Sequence, residues 1–256
     1  MSEPHLLYRV EDNIARFTIN RELQRNAISL DAVALFLSHL DEASVDPNVR
    51  VISITGAGEK AFCSGADLAS ATDGKIEQGF GQYAALLKKL AGYSKPTLAR
   101  INGACMAGGM GLMLACDIVI AKDEAVFGTP EVKVGLWPMM IGALIYRNVL
   151  RKKAMEMVLL GERLSAAQAV ELGLITRSVP SEKLDDEVEQ VLRSLAAKSP
   201  IGMKIGKDAF YAMGDMPFEA ALDFLSKKIS EVASTEDAAE GITAFIEKRK
   251  PVFKGN

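Results

Sequence analysis

Residues 102–117 read NGACMAGGMGLMLACD, a glycine-rich turn that runs directly into an apolar stretch. Glycine lets the backbone approach a ligand closely because it carries no Cβ atom. The apolar run Leu112–Cys116 directly after Gly108 and Gly109 predicts a buried helix. The N-terminus of such a helix would direct free N–H groups and the positive end of its dipole at an anion.

Strands and helices alternate on both sides of this turn. Leu6–Val10 and Ile14–Ile19 predict a hairpin, and Thr97–Ile101 predicts a further strand. Such alternation usually implies parallel pairing with right-handed crossovers. Periodicity alone fits a doubly wound sheet as well as a spiral of small sheets. Towards the C-terminus the pattern becomes almost entirely helical, so we predict an α/β core over residues 1–195 and a helical region over 196–256.

Composition and charge exclude several classes of function. The 256 residues carry a net charge of −3, which gives no reason to expect nucleic acid or an anionic membrane as a partner. The first residues, MSEPHLLYRV, lack the order of a signal peptide, and no stretch reaches the roughly 18 apolar residues of a membrane span. Cys63, Cys105 and Cys116 form no CxxC pair. We therefore expect a soluble cytoplasmic protein with neither disulfides nor a metal site.

Two further segments set small or acidic residues in turns. Residues 61–68 read AFCSGADL, and residues 127–131 read FGTPE, which puts the Glu131 carboxylate beside a proline-fixed turn. The sequence contains no P-loop, and residues 102–111 lack the GxGxxG order of dinucleotide-binding folds. Two backbone donor sites and one carboxylate suit deprotonation next to a carbonyl group. The alternative is that these segments are ordinary turns and Glu131 is an exposed loop acid.

Four other chemically capable side chains are predicted to be structural. His5 and His39 have no Ser or Cys partner at a recognisable spacing. Cys63 has no paired base, so a small buried hydrophobic role is expected. Asp117 closes the helix predicted after Gly108, where a buried carboxylate needs hydrogen-bond partners.

Three segments together, in this order, resemble the crotonase superfamily, that is, the enoyl-CoA hydratase/isomerase family. They are AFCSGADL (61–68), INGACMAGGMGLMLACDI (101–118) and FGTPEVKVGL (127–136). The resemblance implies an α/β fold, a crotonase-like spiral of ββα turns with a helical C-terminal oligomerisation region. It also implies an acyl-CoA thioester substrate, with coenzyme A as part of the substrate and no separate cofactor or metal. The implied assembly is a homotrimer or a dimer of trimers.

The resemblance also assigns roles to individual residues. The backbone amides of Ala66 and Gly108 would form an oxyanion hole for the thioester oxygen, and Glu131 would transfer the proton. The substrate and CoA would contact Ala27, Ala66, Asp67, Leu68, Gly108, Phe245 and Lys248. In the family the positions of Phe245 and Lys248 commonly reach the CoA of a neighbouring subunit.

One position departs from the pattern of the family. A typical hydratase has a second glutamate three residues after the oxyanion glycine, where this chain has Gly111. Hydration must orient water and deliver a proton, which two carboxylates share, whereas moving a proton between two carbons needs one base. The prediction is an enoyl-CoA hydratase. The alternatives are an enoyl-CoA delta-isomerase that uses Glu131 alone, and a CoA-ester-binding pseudoenzyme.

Overall fold

The chain folds into two sheets surrounded by helices, seen in a computed structural model that describes residues 3–67 and 76–256. The larger sheet has six strands in the order β1-β2-β3-β5-β7-β10, and the smaller has the order β4-β6-β8-β9. The strands of the described residues are β1 (Leu6–Glu11), β2 (Ile14–Ile19), β3 (Val51–Gly56), β4 (Ala61–Cys63), β5 (Thr97–Ile101), β6 (Ala104–Met106), β7 (Ile118–Lys122), β8 (Val126–Gly128), β9 (Leu164–Ser165) and β10 (Arg177–Val179).

Helices follow the strands and dominate the C-terminal part of the chain. They are α1 (Leu30–Val45), α2 (Ile76–Ala91), α3 (Gly108–Leu114), α4 (Met139–Asn148), α5 (Arg151–Leu160), α6 (Ala166–Glu171), α7 (Leu184–Ala196), α8 (Pro200–Ala212), α9 (Phe218–Ala233) and α10 (Glu236–Ile246). Short 3₁₀ helices add one further turn at Glu22–Gln24, Pro130–Val134 and Ser181–Lys183. In the part of the chain that the structure describes, no helix has the length and apolar character required to cross a membrane.

The order of elements distinguishes a spiral from a doubly wound sheet. β1 and β2 form the predicted antiparallel hairpin, and β2, β3, β5, β7 and β10 then pair in parallel. β3, β5 and β7 lie in the larger sheet, while β4, β6 and β8 that directly follow them lie in the smaller one. Each such pair of strands is followed by a helix, α2, α3 or α4. The structure therefore confirms a spiral of ββα turns.

Glycines make the sharp corners between the two sheets possible. A Cβ atom at Gly56 would overlap the carbonyl oxygen of Phe62, and one at Gly103 would overlap that of Lys60. The buried side chain of Asn102 donates a hydrogen bond to the Gly56 carbonyl oxygen at 2.9 Å. At this corner two backbone segments therefore pack closely at the glycines, and the buried carbonyl group of Gly56 has a hydrogen-bond partner.

The larger sheet is buried on both faces, as parallel sheets usually are. On one face Phe17 packs against Phe36 of α1, with ring centroids 5.5 Å apart. On the other, Leu184, Val188 and Leu192 of α7 pack with residues of the sheet. Packing on both faces holds the larger sheet in place, and the smaller sheet with its loops lies beside this sheet.

The C-terminal helices carry more exposed apolar surface. None of the residues of α9 is buried. Asp237 of α10 is buried and accepts hydrogen bonds from Ser199 Oγ (2.8 Å) and Lys254 N (2.8 Å), which attaches the chain end to this region. The division into 1–195 and 196–256 stays a prediction.

Candidate active site

Two backbone amides lie side by side at the edge of the smaller sheet. β4 and β6 are parallel neighbours, so Ala66 and Gly108, which follow them, meet at the same end. Ala66 N lies 3.5 Å from the place that a Cβ atom on Gly108 would take. Among residues 3–67 and 76–256, neither amide has a hydrogen-bond acceptor. The structure thus brings together the two amides predicted from the sequence.

The backbone before Gly108 is in a conformation that side chains rarely adopt. Ala107 has φ 48° and ψ −127°, and its N–H donates to the carbonyl oxygen of Gly128 at 2.9 Å. Such outliers cost about 1–3 kcal/mol and cluster at functional sites. The turn at Ala107 lets α3 begin at Gly108, as the sequence predicts, with a first-turn N–H that has no intrahelical partner.

Glu131 reaches the same edge from the next strand. β8 pairs in parallel with β6, and Glu131 lies on the 3₁₀ helix Pro130–Val134 that follows β8. The Glu131 side chain is half-buried, and its Oε2 atom is buried with no hydrogen-bond partner in the described part of the chain. Removal from water raises the pKa of this carboxyl group. Because the Glu131 side chain is half-buried and its Oε2 atom is fully buried, the alternative of an exposed loop acid is excluded.

Gly111 is buried in α3 beneath the side chain of Tyr83 from α2. A Cβ atom at Gly111 would lie 2.5 Å from Tyr83 Oη and 2.6 Å from Ile141 Cγ2. The Tyr83 hydroxyl donates a hydrogen bond to the carbonyl oxygen of Gly108. Sequence reasoning missed Tyr83 as a site residue because it shares the helical spacing of Leu86, Leu87 and Leu90, which is typical of a packing face.

The predicted CoA-binding residues Ala27 and Asp67 are joined by Arg21. Its Nη1 atom donates to the Ala27 carbonyl oxygen at 2.6 Å, and its Nη2 atom lies 2.8 Å from Asp67 Oδ2. The Arg21 and Asp67 side chains are only 12% and 13% exposed. Ile28 and Asp67 are also connected through their backbones, since Asp67 N donates to Ile28 O at 3.0 Å. The predicted residue Leu68 lies outside the described residues.

Phe245 and Lys248 lie at the far end of the C-terminal region. Phe245 belongs to α10, is 84% exposed and lines a cavity with residues of the same region, including Ser199 and Phe253. None of Ala66, Gly108 or Glu131 lines that cavity. Within one chain the structure therefore supplies no link from Phe245 and Lys248 to the amide pair, and their role towards CoA stays a prediction.

The side chains predicted to be structural have structural environments. Burial raises the pKa of the Cys63 thiol to about 11, which leaves it protonated and unreactive at neutral pH. The ring of His39 stacks on Tyr8 with centroids 4.3 Å apart. Asp117 accepts hydrogen bonds from the Thr97 backbone and hydroxyl at 2.7 and 2.9 Å. Across the described ranges, no group of His, Cys, Asp and Glu side chains is arranged to hold a metal ion.

Known proteins share this sequence pattern and this fold. Residues 9–256 match the family described as "Enoyl-CoA hydratase/isomerase". A putative enoyl-CoA hydratase of Thermus thermophilus is 34% identical over 247 residues, 94% of this chain and 97% of that protein. Carnitinyl-CoA dehydratase of Escherichia coli K12 is 35% identical over 267 residues, with full coverage of both chains.

Solved structures agree with the sequence comparisons. The crystal structure of enoyl-CoA hydratase from Bacillus anthracis superimposes with a TM-score of 0.94 at 30% identity, covering 98% of this chain and 100% of that one. Human enoyl-CoA hydratase domain-containing protein 3 superimposes with a TM-score of 0.93 at 31% identity, over 97% of this chain and 100% of its own. The crotonase-like α/β fold predicted from the sequence is thus confirmed. With the amide pair, the buried carboxylate and these likenesses in view, the chain belongs to the enoyl-CoA hydratase/isomerase family, the crotonase superfamily.

Proposed function

We propose that this protein is an enoyl-CoA hydratase that acts on an acyl-CoA thioester through an enolate. The observation that carries the proposal is the adjacent pair of unpaired amides, Ala66 N–H and Gly108 N–H, with the buried Glu131 carboxylate following the neighbouring strand. Two relatives are named as an enoyl-CoA hydratase and a CoA dehydratase, which also supports addition or removal of water.

In this proposal the thioester oxygen accepts hydrogen bonds from Ala66 N–H and Gly108 N–H. Ionised Glu131 takes a proton from water as the water oxygen bonds to the β-carbon of the enoyl group. The electron pair of the double bond moves through the α-carbon onto the thioester oxygen, where the two amides stabilise it. Loss of one such donor typically costs about 2.7–4 kcal/mol of transition-state stabilisation. Protonated Glu131 then gives its proton to the α-carbon and forms the 3-hydroxyacyl thioester.

The second candidate is an enoyl-CoA delta-isomerase, and Gly111 is the observation in its favour. A glutamate at this position would have to displace Tyr83 or Ile141. With one carboxylate available, transfer of a proton between the α- and γ-carbons needs no second group. A pseudoenzyme that binds CoA esters is the third candidate, and the buried, unpaired Glu131 carboxylate argues against it because retaining it destabilises the fold without a chemical use.

Coenzyme A enters this proposal as part of the substrate, and no separate cofactor is proposed. The contacts proposed for the substrate and CoA remain Ala27, Ala66, Asp67, Leu68, Gly108, Phe245 and Lys248. A cytoplasmic location, expected from the cysteine pattern, is likewise a proposal.

The test is incubation of the purified protein with crotonyl-CoA in heavy water, followed by mass analysis of the acyl product. Addition of a whole water molecule supports the hydratase. Deuterium in the acyl chain without added water contradicts the hydratase and supports the isomerase. If the product mass is unchanged, both enzymatic candidates are wrong for this substrate. The Glu131→Gln variant, treated identically, controls for chemistry that does not pass through the proposed site.

A further inference from the structure

A single tyrosine side chain contacts both glycine positions at the start of α3. Tyr83 on α2 is 8% exposed, and its hydroxyl donates a hydrogen bond to the Gly108 carbonyl oxygen. Its Oη atom also lies 3.5 Å from the Cβ position of Gly108 and 2.5 Å from that of Gly111. The hydroxyl therefore lies directly over the first turn of the helix that supplies one amide of the site.

Glycine at position 111 and tyrosine at position 83 depend on each other sterically. A separation of 2.5 Å between a Cβ atom and Tyr83 Oη is shorter than real contacts, and Ile141 Cγ2 at 2.6 Å closes the other side. Moving the ring aside would break the hydrogen bond to Gly108 and leave a buried hydroxyl unpaired, at a cost of about 1–3 kcal/mol. The place where a second carboxylate would begin is thus taken by a phenol.

The chemistry of this phenol differs from that of a carboxylate. Burial raises the pKa of Tyr83 well above its ordinary value, and the charge of Glu131 acts in the same direction. The Tyr83 hydroxyl therefore stays protonated at neutral pH and donates a hydrogen bond to the carbonyl oxygen of Gly108. It does not serve as a second base.

The hydrogen bond acts on a residue that needs external support. Gly108 has no side chain to restrict its backbone, and the preceding Ala107 is in a strained conformation. Anchoring the carbonyl oxygen of Gly108 restrains φ and ψ of this residue, and these two torsions set the orientation of its N–H relative to the first turn of α3. Correct placement of such a donor matters because catalysis depends on preorganised geometry.

We propose that Tyr83 is a positioning residue, whose hydroxyl orients the oxyanion-hole amide of Gly108 and occupies the place of a second carboxylate beside Gly111. The inference rests on the proposed function of the amide pair. It goes beyond that function by assigning the site a neutral hydrogen-bond donor in place of a second acid–base group.

The test compares Tyr83→Phe with Tyr93→Phe. Tyr93 is a matched control because it is also buried and also donates its hydroxyl to a backbone carbonyl, that of Leu40 at 2.8 Å. The readouts are kcat and KM with crotonyl-CoA, thermal unfolding, and the near-ultraviolet enolate band of bound acetoacetyl-CoA, which reports polarisation by the oxyanion hole. We expect Tyr83→Phe to lower kcat by about 10- to 100-fold with little change in KM and to weaken the enolate band. Tyr93→Phe should lower only the melting temperature.

A second pair of variants tests the steric dependence. Gly111→Ala should be destabilised in the wild-type background, and adding Tyr83→Phe should restore part of the loss because the overlapping oxygen is removed. Additive effects on stability would overturn the proposed contact. Equal kcat and equal enolate bands in wild type and Tyr83→Phe would overturn the positioning role alone. If the wild type neither converts crotonyl-CoA nor shifts the acetoacetyl-CoA spectrum, the proposed function itself fails and this inference with it.

Discussion

At the residue scale, Glu131 differs from two carboxylates that have structural partners, the partly exposed Asp117 and the buried Asp237. Asp117 accepts hydrogen bonds from the backbone and hydroxyl of Thr97, and Asp237 accepts one from the hydroxyl of Ser199. Glu131 Oε2 is buried without such a partner in the described ranges. A fold that pairs its structural carboxylates and leaves one carboxylate oxygen buried without a partner marks that carboxylate as a candidate for chemistry.

Replacement of Glu131 by Gln separates catalysis from stability. We expect turnover of crotonyl-CoA to fall by about 10²–10⁴-fold, the usual contribution of a general acid–base group, with nearly unchanged binding of butyryl-CoA. Because burial raises the folded-state pKa of Glu131, the wild type loses stability as pH rises from the unfolded pKa through the folded one. The variant lacks this loss, so its melting temperature at pH 7 should equal or exceed that of the wild type.

The control for this prediction is the same change at a satisfied carboxylate, Asp117→Asn. It disturbs the hydrogen bonds from Thr97 and the ion pair with Lys207, so its melting temperature should fall. Turnover and thermal unfolding between pH 4 and 8 provide the comparison. Wild-type turnover in Glu131→Gln would contradict the assignment of Glu131, and a melting temperature well below wild type at pH 7 would contradict its unpaired state.

At the element scale, the packing of α3 on β4 holds the two amides at their separation. Gly109 is the contact point, because a Cβ atom there would overlap the carbonyl oxygen of Cys63 and lie 2.9 Å from its Cβ atom. The obstacle is mainly backbone, which does not move aside as a flexible side chain does. The distance between Ala66 and Gly108 therefore depends on having no side chain at position 109.

Gly109→Ala is expected to destabilise the protein, whereas Gly142→Ala in α4 is expected to stabilise it. Overpacking of this kind typically costs about 1–3 kcal/mol. At Gly142 an added Cβ atom meets nothing within 4 Å in the described residues, so alanine should gain about 0.5–1 kcal/mol from helix propensity. Urea unfolding measures both. Equal free energies of unfolding for the two variants would show that α3 and β4 are not packed this tightly.

The sequence predicted those elements whose signals are local. Local capping signals stand in the sequence of two helices: Ser29 caps α1 by accepting from Ala32 N, and Ser165 with Gln168 forms a capping box at the start of α6. The three-residue strands β4, β6 and β8 are too short to show a periodicity, and their pairing joins distant segments of the chain. The main site residues could be predicted because Ala66, Gly108 and Glu131 each lie in a short, recognisable sequence motif. The role of Tyr83 depends on contacts 25 or more residues away, which helical spacing does not reveal.

At the scale of the whole molecule, one chain leaves a large apolar surface uncovered on its C-terminal helices. Each of the residues concerned is more than half exposed, namely Phe210, Tyr211, Phe218, Leu222, Ile229, Ile242, Phe245 and Ile246. A concentration of exposed apolar side chains in one region of a protein often marks an interface. We propose that this surface is covered by other copies of the chain in a homotrimer or a dimer of trimers, in which Phe245 and Lys248 would approach the CoA of a neighbouring chain.

The proposed assembly predicts a solution mass that is a multiple of three chains of 27.6 kDa, about 83 kDa for one trimer. Light scattering coupled to size-exclusion chromatography measures it. Leu222→Asp on α9 should shift the mass towards the single chain, because burying an unpaired charge in an apolar interface is costly. Leu7→Asp is the control, since Leu7 is 43% exposed on β1, outside the C-terminal helices. If dissociation of the Leu222→Asp variant also weakens its binding of CoA esters, the site is completed by a neighbouring chain. If the wild type is instead a monomer, Phe245 and Lys248 must be removed from the proposed CoA contacts.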